Sequence, residues 1–194
     1  NLGQLFTPPH FVYIMLKLCQ NKGRILEPSV GDGAFFSVLK KKRHRDIIGI
    51  EIDPCVAPKR AQIMDFFDYP ADELFDTVIG NPPYVRFQDI EDGTRKKLKS
   101  PLFDKRSNLF LFFIEKCVRH LKPGGELIFI VPREFIKLTA AKKLNAWLYQ
   151  QGSITHFYET GDTRIFGEHS PNCTIFRFEQ GRKDRRMADG RNFT

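Results

Sequence analysis

The chain has 194 residues, enough for one compact domain with a substantial core. Its composition is that of an ordinary soluble globular protein, and its longest apolar run, around "NLFLFFIEKCV", is too short and too interrupted to span a bilayer. A net charge of +8 and a pI of about 9.4 favour a polyanionic partner, most simply nucleic acid, although the charge alone does not establish one.

In chain order the predicted elements alternate. "HFVYIMLKLC" (10–19) has helical spacing, with Thr7, Pro8 and Pro9 as its start. "RILEP" (24–28) is a short apolar strand that runs into the glycine-rich turn "SVGDGAFF", and a helix follows to about Lys42. "DIIGIEID" (46–53), "AQIMDFF" (61–67) and "LFDTVIGN" (74–81) read as the second, third and fourth strands. A helix is predicted over 107–121, and Lys122-Pro123-Gly124-Gly125 ends it. "ELIFIVP" (126–132) is a fifth strand, a helix follows over about 139–150, and "SITHFYE" (153–159) and "CTIFRFE" (173–179) are the last two strands. Nearly all-apolar strands alternating with helices mean a mostly parallel sheet covered on both faces, a doubly wound α/β domain. Ligands of such sheets bind beyond the carboxyl ends of the strands. Here those ends carry "EPSVGDG", "EID", "DFF" and "NPPY".

There are no internal repeats, no low-complexity tracts and no opening signal-peptide pattern. The chain starts at Asn1 without a Met, which reads as part of a longer product. Its four cysteines, Cys19, Cys55, Cys117 and Cys173, form no C-x-x-C pair. They read as free thiols of a reducing cytosol, and no metal site is expected. Basic residues cluster in "KKKRHR" (40–45), in "TRKKLK" (94–99) with Lys105 and Arg106, and in "GRKDRR" (181–186); a solvated surface explains the first equally well.

Gly31 and Gly33 lie between a strand and a helix, where glycine allows a tight turn and close approach of the backbone to a ligand. The third glycine of a dinucleotide fingerprint is missing, and without G-K-[ST] this is no P-loop. An acidic Glu27 just before the glycines suits an ammonium group better than a phosphate. Glu51 ends the second strand about 20 residues past Gly31, where an acid accepts hydrogen bonds from ribose hydroxyls. Asp65 and Phe66 follow the third strand, a carboxylate and a ring able to hold an adenine by its amino group and its face. A strand-end ion pair would explain Glu51 alone, and a turn acid Asp65 alone. Together they describe a nucleoside with a cationic amino-acid tail and no phosphate, which S-adenosylmethionine fits.

In this order the motifs resemble the gamma-class DNA adenine methyltransferases of restriction-modification systems. "QLFTPP", "EPSVGDGAF", "GIEIDP", "DFF", "FDTVIGNPPY", "LKPGGELIFIVP" and "FGEHSPNCTIFRFE" follow the family's sequence over nearly the whole chain. The resemblance implies a class I S-adenosylmethionine-dependent methyltransferase fold with a mostly parallel seven-stranded sheet whose last strand is antiparallel. It also implies methyl transfer to the N6 amine of adenine in double-stranded DNA, in the cytoplasm of a bacterium or archaeon.

Adenine's exocyclic amine is a poor nucleophile because its lone pair is delocalised into the ring. Two acceptors aimed at its N–H groups favour tetrahedral nitrogen and free that pair. The Asn81 side-chain oxygen and the Pro82 carbonyl are the candidates, with the prolines fixing the backbone beforehand. An Asx-type turn before proline is the bland reading of Asn81. The target base has to be flipped out of the duplex, and Tyr84 is expected to stack on it. The resemblance adds Phe166 on the opposite face, Thr7 at the methionine end of the cofactor, Ile52 beside Glu51, and Phe113 over the cofactor's adenine. A core position explains Phe113 nearly as well, and a core anchor is the alternative for Phe166.

Residues 1–180 are thus expected to form the catalytic domain, and 181–194 a basic linker toward a target-recognition domain absent from this chain. The basic, polar stretch between Tyr84 and Ser107 reads as a mobile loop over the site that contacts phosphate. The same N-P-P-Y chemistry also serves enzymes acting on ribosomal RNA or on a release-factor glutamine. The glutamine enzymes carry a helical domain before the glycine motif, whereas "FTPP" here lies only some 20 residues upstream of it. A non-catalytic nucleic-acid-binding subunit on this fold is the remaining alternative, but the motif and the strand-end acids are intact.

Overall fold

A computed structural model of the chain describes residues 5–41, 46–103, 107–161, 165–167 and 170–194. Helix α1 spans Pro9–Leu18, strand β1 Ile25–Glu27, helix α2 Ala34–Lys41, strand β2 Ile47–Glu51, strand β3 Gln62–Ile63 and strand β4 Phe75–Gly80. Then come helix α3 over Asp92–Arg95, helix α4 over Leu109–Arg119, strand β5 over Leu121–Pro132, helix α5 over Lys142–Gln151, strand β6 over Gly152–Glu159 and strand β7 over Cys173–Gln180. Among the described residues these strands form one seven-stranded sheet in the order β3-β2-β1-β4-β5-β7-β6. The pairs from β3 to β5 are parallel, and β7 runs antiparallel to both β5 and β6. This is the doubly wound sheet, with its antiparallel last strand, expected from the alternation of apolar strands and helices.

The strands sort their side chains with period 2. Ile25, Ile79, Ile128 and Ile130 join one apolar cluster with Val12 and Met15 of α1 and Phe35 and Leu39 of α2. Leu26, Val78, Leu127, Phe129 and Val131, each one position along, join the other cluster with Phe110, Leu111 and Ile114 of α4 and Leu148 of α5. Each such fully buried side chain contributes roughly 1.5–3 kcal/mol of burial free energy. Two-sided burial is therefore what fixes the sheet's register and holds the strand ends that form the site.

The helix starts follow local chemistry. Pro8 is the N-cap of α1 and Pro9 opens the helix, so Thr7 stands one place outside it and does not cap it. The Asn108 side chain accepts from the Phe110 N–H at 3.3 Å and caps α4. Among the described residues no helix is long and apolar enough to cross a membrane.

Four stretches differ from the sequence expectation. The third strand shrinks to Gln62–Ile63, because Asp65 takes the Phe67 N–H at 2.9 Å and starts a 3-10 turn over Phe66–Asp68. Residues 121–125 are already part of β5, and the ladder shifts register between Phe75 and Thr77 to accommodate them. The stretch between Tyr84 and Ser107 carries a 3-10 turn, Phe87–Asp89, and the short helix α3. Residues 181–194 fold back along α5 and β6: the Ala188 N–H donates to the Thr155 carbonyl at 2.8 Å, and Phe193, 7% exposed, packs on Tyr149. Arg185 lies 4.0 Å over the Tyr149 ring, so part of that basic cluster is used within the domain. Of the basic residues singled out above, those at 42–45, Lys105 and Arg106 lie outside the described residues.

Candidate functional site

A cavity opens at the carboxyl ends of β1, β2 and β4, enclosing about 960 Å³ of space with its solvent-filled mouth included. Thr7, Glu27, Gly31, Glu51, Ile52, Asp65, Phe66, Asn81 and Phe113 all line it.

The turn after β1 is built around a carboxylate. Glu51, 5% exposed at the end of β2, accepts the Gly31 N–H at 2.7 Å on Oε2, and the Ile52 and Asp53 N–H groups, each at 3.0 Å, on Oε1. A carboxylate offers about four acceptor sites, so about one is left for a ligand hydroxyl. Glycine is required in this turn because Gly31 has φ +55° and Gly33 φ +87°. Gly33 itself faces Pro58 and Ser37 and is not among the residues that line the cavity.

Glu27 forms the acidic floor. It is 1% exposed, and its Oε2 has no hydrogen-bond partner among the described residues. Burial, then the negative charges of Asp32 and Glu51, pushes its carboxyl well above the usual carboxylate range, with only the Phe36 backbone N–H pulling the other way. A cationic group in the cavity would relieve all of this at once, which is what an ammonium-bearing ligand supplies.

At the other end, Phe66 and Phe113 stand with ring centroids 5.1 Å apart and tilted by 36°. Both are buried, at 3% and 6% exposure, with their edges in the cavity wall. Phe113 is therefore a core residue and a lining residue together. The Asp65 side chain, 11% exposed, sits beside them.

Asn81 closes β4. Its Nδ2 donates to the Leu5 carbonyl at 2.7 Å, which fixes the amide's orientation and leaves Oδ1 as a buried acceptor without a partner among the described residues. The Ser29 hydroxyl donates to the Asn81 carbonyl at 2.9 Å and ties this turn to the glycine loop.

Pro82 is buried just outside the cavity wall. Tyr84 points inward: its hydroxyl donates to the Ile130 carbonyl at 2.8 Å and lies 3.9 Å from Cys173 Sγ. Burial pushes the Tyr84 hydroxyl well above its usual value and the Cys173 thiol up to about 11. The half-buried Phe166 meets Tyr84 edge-on, with centroids 6.3 Å apart and planes at 76°. The two rings are neighbours, as expected, but they do not form a parallel slot.

Sequence reasoning missed Leu5, Ser29, Thr94 and Lys97. Leu5 acts through its backbone carbonyl, which no residue type betrays. Thr94 and Lys97 were seen only as members of a basic run.

Comparison with known proteins follows the same lines. Residues 41–166 match the family described as Eco57I restriction-modification methylase. The type II methyltransferase M.HincII of Haemophilus influenzae is 34% identical over 190 residues, covering 94% of this chain and 38% of that protein. M.TthHB8I of Thermus thermophilus is 32% identical, covering 100% of this chain and 50% of the relative, so the chain spans half or less of these proteins. Among solved structures, a Listeria monocytogenes protein assigned to the class I S-adenosylmethionine-dependent methyltransferases superposes with a TM-score of 0.73 at 20% identity, over 96% of this chain and 64% of that one.

Proposed function

The chain belongs to the Eco57I restriction-modification methylase family, and on that premise we propose that it carries the catalytic centre of an S-adenosylmethionine-dependent DNA methyltransferase acting on the N6 amine of adenine. The observation that carries this reading is Asn81: a buried amide oxygen without a partner among the described residues, its nitrogen already tied to Leu5, at the edge of a cavity with an acidic floor.

The residues present fit the cofactor. Glu27 would hold its ammonium group, with Thr7 nearby, Glu51 would take a ribose hydroxyl, and Asp65 with Phe66 and Phe113 would take its purine. Bound there, the cofactor supplies an electrophilic sulfonium methyl. The protein's part is to prepare the amine. Asn81 Oδ1 and the Pro82 carbonyl act as fixed acceptors for its two N–H groups, drawing the nitrogen toward tetrahedral geometry and localising its lone pair. Because the Asn81 amide is held in advance by the Leu5 carbonyl, little reorganisation of that acceptor is needed at the moment of reaction. The proton leaves after methyl transfer, so no matched base is required.

The base enters by flipping, at a cost of a few kcal/mol that stacking partly offsets. Tyr84 and Phe166 are the stacking pair in this reading, and since they now meet edge-on, one ring has to turn as the base arrives. The chain's charge of +8 favours the DNA backbone as partner. In this reading the methyl-transfer unit includes residues 181–194, which pack on α5 and β6, and sequence recognition is assigned to a part of the protein outside this fold.

The test is the full-length protein with methyl-labelled S-adenosylmethionine and duplex DNA, followed by nucleoside analysis. Label in N6-methyladenine that Asn81→Ala removes is the expected result. Label in cytosine, or only in RNA or protein substrates, would sink the reading.

A further inference from the structure

We infer that Thr94 and Lys97 form a clamp on Asp65 that sets how the site reads the purine of its cofactor. The inference rests on the reading of the cavity as an S-adenosylmethionine site.

The clamp is delivered by the one turn of α3. Thr94, 8% exposed, lines the cavity and donates its hydroxyl to Asp65 Oδ2 at 2.8 Å. The Lys97 ammonium reaches the same oxygen at 2.9 Å and Asp68 Oδ2 at 2.5 Å. The Lys97 N–H donates to the Thr94 carbonyl at 2.9 Å, so the two side chains approach as one rigid unit. Both carboxylates hold Lys97 in its charged form and raise its pKa.

Counting acceptor sites shows the consequence. Asp65 Oδ1 accepts the Phe67 N–H at 2.9 Å, and Oδ2 accepts from both Thr94 and Lys97. Three of a carboxylate's roughly four acceptor sites are filled. What remains for a ligand is about one lone pair on a carboxylate that cannot rotate. A purine amine can use it, whereas a purine carbonyl meets only negative charge. Without the clamp the carboxylate turns freely, and its selectivity for an amine falls. Thr94 and Lys97 are thus positioning residues. They touch Asp65 rather than the reacting atoms.

The experiment is calorimetric titration of the full-length protein with two analogues that differ at one group, S-adenosylhomocysteine and S-inosylhomocysteine. Wild type should prefer the adenosyl form by on the order of tenfold or more, the scale of one hydrogen bond to a charged acceptor. Thr94→Val and Lys97→Met should each bring that ratio down toward the value for Asp65→Ala while leaving inosyl affinity nearly unchanged, and Lys97→Arg should restore most of it. A merely structural role would weaken both analogues alike, and that result, or ratios unchanged in folded variants, overturns the inference alone. Lys97, with a side chain 34% exposed, tests the idea even if Thr94→Val fails to fold. A wild type that binds neither analogue overturns the cofactor reading and the inference with it.

Discussion

Two carboxylates lie in the same sheet, equally buried and oppositely treated. Glu126, 0% exposed near the amino end of the parallel strands, accepts from the Gln20 and Asn21 N–H groups and the Thr77 hydroxyl, each at 2.9 Å, and from Arg177 Nε at 2.7 Å. Glu27, 1% exposed at the carboxyl end, has an Oε2 without a partner among the described residues and two other acids for neighbours. Burial alone does not distinguish a scaffold residue from a site residue; the satisfaction of its polar atoms does. The amino end of this sheet is a closed network that ties α1's exit to β4, β5 and β7. The carboxyl end stores unmet demand that a ligand can answer.

The largest effect expected from this contrast is at the closed end. Arg177→Met leaves Glu126 buried and unpaired and should cost about 3–5 kcal/mol of unfolding free energy in a denaturant titration. Adding Glu126→Leu removes the lone charge but strands the Gln20, Asn21 and Thr77 donors, so it should restore only part of the loss. If the single variant is harmless, the network is not what holds this end.

At the open end the loss should fall on catalysis. Asn81→Ala removes one prearranged acceptor and should lower methyl transfer about 10²–10³-fold. S-adenosylmethionine affinity, read by calorimetry, should change far less. An equal loss in both would make Asn81 a cofactor ligand and leave its role as an acceptor for the substrate amine unsupported.

Glu27→Gln sharpens the comparison through pH. The folded-state pKa of Glu27 is raised, so below its ordinary value of about 4.5 the carboxyl is neutral in both states and costs nothing. As pH rises from there through the folded pKa, the unfolded chain ionises and the folded one resists, and stability is lost. The variant should therefore gain on wild type across that window in pH-dependent unfolding, while binding S-adenosylmethionine roughly tenfold or more weakly at neutral pH for want of a charged acceptor. A variant less stable than wild type at neutral pH would mean that Glu27 is partnered after all.

The same contrast explains what could be read from sequence. That Glu27, Glu51, Asp65 and Asn81 line one cavity was legible because the parallel sheet turns strand ends into an address. Gly33 was expected to serve both the turn and the ligand's approach; its positive φ accounts for the turn, and a backbone angle and a ligand contact leave the same glycine. Leu5, Thr94 and Lys97 were not legible, since they reach Asn81 and Asp65 from 76, 29 and 32 residues away through ordinary side chains or a bare carbonyl. The third strand was read too long because "DFF" scores as apolar extension, whereas the Asp65 side chain ends the ladder by capping the next turn.

The smallest effect concerns the residue that belongs to both ends of the argument. Tyr84 stands in the N-P-P-Y motif, yet its hydroxyl is committed to the Ile130 carbonyl of β5, a scaffold contact. Tyr84→Phe removes that one hydrogen bond and keeps the ring. It should cost about 0.5–1.5 kcal/mol of stability. Methyl transfer to duplex DNA should stay within a few-fold of wild type, because stacking needs the π-face and not the hydroxyl. Cys173 keeps its own bond to the Pro171 carbonyl at 3.3 Å, so no second partner is stranded. A variant of unchanged stability that nevertheless loses most of its activity would reverse the assignment: the hydroxyl would then be orienting the ring for the incoming base, and the motif's tyrosine would belong wholly to the site.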